Sequence, residues 1–98
     1  MYTVKRTPQF DQWMSGIRDG MTARRLQTRL RKAMLGNLGD VKPVGSGVWE
    51  MRESFGPGWR MYYVLRGAVL VVMLGGGDKS SQKADIGKAI ALAATLED

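Results

Sequence analysis

The sequence predicts an α+β fold: an N-terminal strand and a two-helix hairpin packed on a curved antiparallel β-sheet, with a short C-terminal helix. Three observations carry this. Residues 7–36 space apolar side chains at helical intervals in two stretches joined by a very short link. Residues 48–65 alternate apolar and polar side chains in two runs around a Gly- and Pro-rich loop. After them, Val69–Leu74 is apolar on both faces, the mark of a strand inside a sheet.

Each element follows from local chemistry. Tyr2–Arg6 alternates, as a short strand does. Thr7-Pro8 is a helix N-cap followed by Pro at the first helical position. Phe10, Trp13, Met14 and Ile17 then share one helix face, and Gly20 is the expected stop. Thr22 is the expected cap of the second helix, whose stripe is Ala23, Leu26, Leu30, Ala33 and Met34, with Gly36 beyond its end. Asn37–Asp40 is turn chemistry. Val41–Val44 can be a strand, confined to an edge by Pro43. Gly45–Gly47 turns into Val48–Glu53, and residues 54–58 connect this to Trp59–Leu65. Gly75–Gly77 is expected to break the following strand. Asp78 or Ser80 then caps a last, alanine-rich helix with Ile86, Ala89, Ile90 and Ala93 on one face. Trp13 and Trp49 fall on core faces.

The chain has 98 residues, 44% hydrophobic and 24% charged, which fits one soluble domain spanning 1–98. It has no Cys and no His. Disulfides, thiolate metal sites and Ser-His-Asp or Cys-His catalysis are thereby excluded, and no metal or cofactor is expected. No apolar run approaches the roughly 18 residues of a membrane span, and residues 1–10 lack the apolar stretch of a signal peptide. A cytoplasmic protein without a membrane partner is expected.

The net charge is +6, and its distribution is uneven. Residues 1–38 hold eight basic and two acidic side chains, whereas residues 39–98 balance at seven each. Thr22–Leu35 contains Arg24, Arg25, Arg29, Arg31 and Lys32 and no acid. Two readings stand: a solvated helix face, or a surface for a polyanion or acidic partner. With Leu26, Leu30 and Ala33 turned to the sheet, these cations should form an exposed basic surface.

Symmetric closure of the residue 54–58 loop sets Arg52 opposite Arg60 and Glu50 opposite Tyr62. All four then lie on one face, away from Trp49, Met51, Met61 and Tyr63, and that face should not be core. Like charges directly opposite are unfavourable on a sheet. An anion between the two arginines would relieve them, as would ion pairs such as Arg52 with Glu50 or Glu53. Gly75-Gly76-Gly77-Asp78-Lys79-Ser80-Ser81 opens the last helix, where backbone N–H groups can hold phosphate. A Walker A loop it is not, because Asp78 precedes Lys79. Pairing of the last two strands should bring Gly75 beside Arg60, and with it Lys79 near both arginines.

Tyr2–Phe10, Gly36–Val44, Gly47–Glu53, Gly56–Tyr63 and Leu74–Gln82 together resemble the RelE/ParE superfamily of toxins over essentially the whole chain. Within it, the chain is most similar to the addiction module killer branch of phage Gp49-like and HigB-type proteins. The resemblance implies the toxin of a type II toxin–antitoxin module that cuts mRNA on the ribosome. It also implies a cognate antitoxin, a small helix-turn-helix protein encoded alongside. Arg52 and Arg60 fall at the superfamily's strand arginines, and Lys79 at the basic residue after the last strand. Many RelE members carry a tyrosine early in the last helix; here that position is Lys83, and HigB histidines have no counterpart.

Metal-free RNA cleavage needs a base for the 2′-hydroxyl, charge stabilisation at phosphorus and an acid for the 5′-oxygen. Arg52 and Arg60 suit the phosphate charge, and Lys79 or Lys83 can add charge or a proton. Glu50 and Tyr62 are the base candidates, with the cation cluster expected to lower the tyrosine's pKa. The Arg24, Arg25, Arg29, Arg31 and Lys32 surface is expected to dock on ribosomal RNA, or else to receive the antitoxin. Two alternatives to RNA cleavage are a ParE-like protein acting on DNA gyrase and a nucleic-acid-binding module without catalysis.

Overall fold

A computed structural model describes residues 1–96. The chain runs β1 (Thr3–Arg6), α1 (Pro8–Ser15), α2 (Gly20–Met34), β2 (Val41–Gly45), β3 (Val48–Arg52), β4 (Arg60–Arg66), β5 (Leu70–Gly77), a 3₁₀ turn (Lys79–Ser81) and α3 (Gln82–Thr95). The five strands form one sheet in the order β1-β5-β4-β3-β2. The α+β class is the one expected. The sheet is mixed, because β1 pairs parallel to β5 while the other pairs are antiparallel. Alternation in Tyr2–Arg6 marks a strand but carries no information about its neighbour or direction.

Thr7 caps α1 as expected. Its side-chain oxygen accepts from the Phe10 N–H at 3.2 Å, and its hydroxyl donates to the Met73 carbonyl at 2.8 Å. The helix ends at Ser15, earlier than Gly20, yet Ile17 still packs on the core. Asp19, not Thr22, caps α2. One carboxylate oxygen accepts from the Met21 N–H at 3.3 Å and the other from the Thr22 hydroxyl at 2.7 Å. The two oxygens of one Asp carboxylate serve both donors, which leaves Thr22 buried inside the first turn. Gly36, just past α2, has φ of 99°, a left-handed position that favours glycine.

Two cores flank the sheet. On one face Phe10, Met14, Leu26, Leu30 and Ala33 pack on Met51, Met61, Tyr63, Val71 and Met73. Trp13 and Trp49 are half-buried against this cluster. The opposite face was expected to lie outside the core, and that expectation is corrected. Val48, Tyr62, Val64, Val72 and Leu74 pack there under Ala89 and Ala93 of α3. The small side chains of α3 give a weak amphipathic pattern in the sequence. Alanines let the helix approach the strands closely, so burial follows from fit rather than from a large apolar stripe.

The triple glycine does not break β5; the strand runs through it to Gly77. Its middle residue makes room for a helix. A Cβ on Gly76 would stand 2.5–2.6 Å from three ring atoms of Trp13. The Gly76→Ala protein should therefore lose about 1–3 kcal/mol, because a rigid indole packed on the core must move. At Gly77 the obstacles are the tips of Asp85 and Ser81, which can turn aside, so Gly77→Ala should cost less. Paired denaturation curves check the order, and equal midpoints for Gly76→Ala and the parent would contradict it.

A cationic cleft at one end of the sheet

The carboxyl end of β3 and the amino end of β4 lie side by side. Arg52 pairs with Arg60 and Glu50 with Tyr62, the register expected from a symmetric loop. The β4–β5 register is two residues off expectation. Gly77 stands opposite Arg60 and Gly75 opposite Tyr62, because β5 continues through the glycines and a bulge follows at Tyr62/Tyr63. Lys79 nevertheless comes to the cleft. Its Cβ and Arg60 Nη1 lie 3.4 and 3.6 Å from the point a Cβ on Gly58 would occupy. Gly58 has φ of 82°, so the loop presses against both cations at a position that favours glycine.

The two arginines are held differently. Arg60 is largely buried; its Nη1 donates to the carbonyls of Glu53 and Trp59 at 3.0 and 3.1 Å. Its Nε stands 3.8 Å from Glu50 Oε1. Arg52 is more open and pairs with Asp40 at 3.0 Å, not with Glu50 or Glu53. That hydrogen bond holds the Asp40 carboxyl below the usual carboxylate range. The pair lies on the surface, where such contacts are weak and exchangeable. Arg52 is thus free to trade Asp40 for another anion.

Glu50 and Tyr62 are fully buried beneath α3, not displayed on an open face. Glu50 Oε2 accepts from Gln82 Nε2 at 2.7 Å, a contact from the first turn of α3 that no sequence pattern signals. Lys83, next to Gln82, is exposed and does not join this group. Burial raises the Tyr62 phenol's pKa above its ordinary value. The charges of Glu50 and Asp85 raise it further, against a smaller opposing effect of Arg60. The expected lowering is therefore reversed: burial disfavours the phenolate, and two carboxylates outweigh one guanidinium. Tyr63, buried on the other face, is pushed up to about 12, first by desolvation.

Both buried phenols have a folded-state pKa above the unfolded value of about 10. Their contribution to stability is complete below pH of about 10 and is lost as the pH rises toward 12. Tyrosinate absorbance of these two residues should appear together with loss of the helical dichroism signal. Ionisation of both near pH 10 with the fold intact would contradict the assignment.

The basic helix also departs from expectation at one residue. Arg24, Arg25, Arg31 and Lys32 are exposed, but Arg29 is 8% exposed. Its Nε and Nη2 donate to the Leu38 carbonyl at 3.2 and 2.9 Å, and Nη2 also to Asp40 O at 2.8 Å. Nη1 donates to Arg52 O at 2.9 Å and stands 3.3 Å from Glu53 Oε1. Arg29 is consequently a brace between α2, the residue 38–40 turn and the end of β3. It shares a helix side with Leu26 and Leu30, three positions before and one after. Helical spacing does not distinguish a buried arginine from a solvated one.

The same architecture occurs in YafQ from E. coli strain BL21(DE3). Its crystal structure matches with a TM-score of 0.54 over 84% of this chain and 98% of that one, at 17% identity. At that identity the likeness is one of fold. An uncharacterised protein of Haemophilus influenzae (strain Rd) is 39% identical over 93 residues, 95% of this chain and 94% of that protein. Residues 14–96 match the family described as phage-derived protein Gp49-like. The class is that of the RelE-type toxins. Within it, the chain belongs to the Gp49-like family, a RelE/HigB-like toxin family.

Proposed function

We propose that the protein, as one domain over residues 1–98, is the toxin of a type II toxin–antitoxin module. Its proposed activity is metal-free cleavage of mRNA on the ribosome, in the cytoplasm. The observation that carries this is the convergence of Arg52, Arg60 and Lys79 at one end of the sheet. An in-line attack of a 2′-hydroxyl on the adjacent phosphate builds negative charge on the phosphoryl oxygens. The guanidinium of Arg60, held in place by backbone carbonyls, together with that of Arg52 and the Lys79 ammonium, stabilises that charge. Lys79 or the exposed Lys83 supplies the proton for the departing 5′-oxygen.

Glu50 and Tyr62 were the base candidates. Both are out of solvent, and Tyr62 holds its proton more firmly than a free phenol. Their role in this reading is to hold Arg60 and the first turn of α3. The 2′-hydroxyl gives its proton to water as the O–P bond forms and the bond to the 5′-oxygen breaks, and alignment of that hydroxyl by the ribosome accounts for the larger part of the rate. The antitoxin is a small helix-turn-helix protein from the neighbouring gene. Arg24, Arg25, Arg31 and Lys32 face RNA of the ribosome–mRNA complex. None of the helices among the described residues is long and apolar enough to cross a membrane.

Purified protein added to translating ribosomes tests the reading. New mRNA 5′ ends within codons are expected from the parent and not from a folded Arg52→Ala variant. Gyrase-dependent DNA breaks without new RNA ends would replace it by a ParE-like activity. RNA binding without either would leave a module that does no chemistry.

A further inference from the structure

A groove of about 430 Å3 runs along α2 toward the end of β3, with Arg24, Arg25, Arg29 and Lys32 on one side and Glu53 at its end. We propose that this groove holds the messenger strand itself, the nucleotides flanking the scissile phosphate, rather than ribosomal RNA. The proposal rests on the RNA-cleaving reading and deepens it.

Three observations point to a single strand. First, α2 carries five basic residues and no acid, and the one carboxylate lining the groove, Glu53, is neutralised by buried Arg29. The remaining field is cationic along a path, as a phosphodiester backbone requires. Second, the Arg25 guanidinium sits 3.7 Å over the centre of the Phe55 ring. A guanidinium ordered on one face by an aromatic ring offers its other face to an unstacked base. Third, the groove meets the cleft through Arg29, which donates to the Arg52 carbonyl, and through Glu53. Glu53 lines the groove with its side chain, and its carbonyl accepts from Arg60 Nη1 at 3.0 Å. A strand in the groove therefore reaches the arginine pair without leaving the surface. Arg31 lies outside the groove and bonds to Thr28 Oγ1 at 2.9 Å.

The probe is uncleavable 2′-O-methyl RNA, a trinucleotide and a nonanucleotide, bound to the isolated protein across a salt series. Each phosphate neutralised on a single strand contributes a slope of about −0.7 in log K against log salt. The nonanucleotide should show a slope steeper than the trinucleotide by about 2, for Arg24, Arg25 and Lys32. Arg24→Ala/Lys32→Ala should remove about 1.4 of that and weaken nonanucleotide binding about tenfold at low salt. Phe55→Leu should weaken the nonanucleotide severalfold while keeping the slope, since it removes a stacking platform and no charge. Equal slopes for the two lengths, or nonanucleotide binding unchanged in the double variant, overturn the proposal. So does a double variant that binds RNA normally but loses an acidic antitoxin segment, because the helix then receives the protein partner. Messenger cleavage on ribosomes is scored separately. A parent that cleaves while the groove fails these tests removes the groove alone; a parent that does not cleave removes the RNA-cleaving reading.

Discussion

Arg60→Ala is expected to abolish growth arrest on induction and also to destabilise the fold, and a second substitution separates the two losses. A face outside the core, as the sequence predicts for Arg60, would leave the variant folded and inactive. The structure places Arg60 largely buried beside a fully buried carboxylate, Glu50, at 3.8 Å. Without Arg60 that charge loses its nearby cation and keeps the neutral Gln82 amide at 2.7 Å. The carbonyls of Glu53 and Trp59 also lose a donor. An uncompensated buried charge costs about 3 kcal/mol, a large part of a small domain's stability. Arg60→Ala/Glu50→Gln removes the charge along with its partner, so most of the stability should return while toxicity does not. Thermal unfolding and induced growth of the two variants check this. Growth arrest by either folded variant would show that Arg60 is not part of the machinery.

Arg29→Ala should give the largest stability loss of any cation in the chain, about 3–5 kcal/mol. Its guanidinium satisfies three backbone carbonyls, those of Leu38, Asp40 and Arg52, and pairs with Glu53. Removing it takes the guanidinium from the Leu38 carbonyl and from Glu53 at once in a half-buried joint, while the Asp40 carbonyl keeps the Arg52 N–H at 3.0 Å. Arg29→Lys should recover little, because one ammonium cannot span carbonyls that a planar fork reaches from both edges. Arg31→Ala, two positions along the same helix, should shift stability by no more than about 0.5 kcal/mol. Urea unfolding of the three variants reads the contrast. If Arg29→Ala and Arg31→Ala unfold together, Arg29 is not the brace described above. Because Arg29 holds the Arg52 carbonyl and the Asp40 turn, its loss should also loosen the open half of the cleft.

Sequence reading recovered most elements wherever backbone chemistry is local. Thr7-Pro8, Gly36, Pro43 and the Gly45–Gly47 turn each satisfy a nearby hydrogen bond or dihedral requirement, and each falls where expected. The Arg52–Arg60 and Glu50–Tyr62 pairs were legible for the same reason: hairpin register depends on loop length. The Asp19 cap was missed because Thr22 and Asp19 are both good caps, and only the observed turn shows which one reaches the free N–H groups. Gln82 and Asp40 gave no signal, since each meets its partner across more than ten residues of chain.

By itself, then, the sequence determined the α+β class, the helical hairpin, the meander from β2 to β5 and the pairing that brings two arginines together. All of these depend on periodicity and turn residues within a few positions of one another. Tertiary structure alone decided that β1 runs parallel to β5 and that glycines 75–77 continue the strand. The same holds for α3, which closes over Glu50 and Tyr62. It also turned Arg29 inward, made Tyr62 a poor base and left the Arg52 side of the cleft open. Those outcomes depend on which surfaces meet, and on how much water each meeting removes from a charge, and neither quantity is encoded in the spacing of residues along the chain.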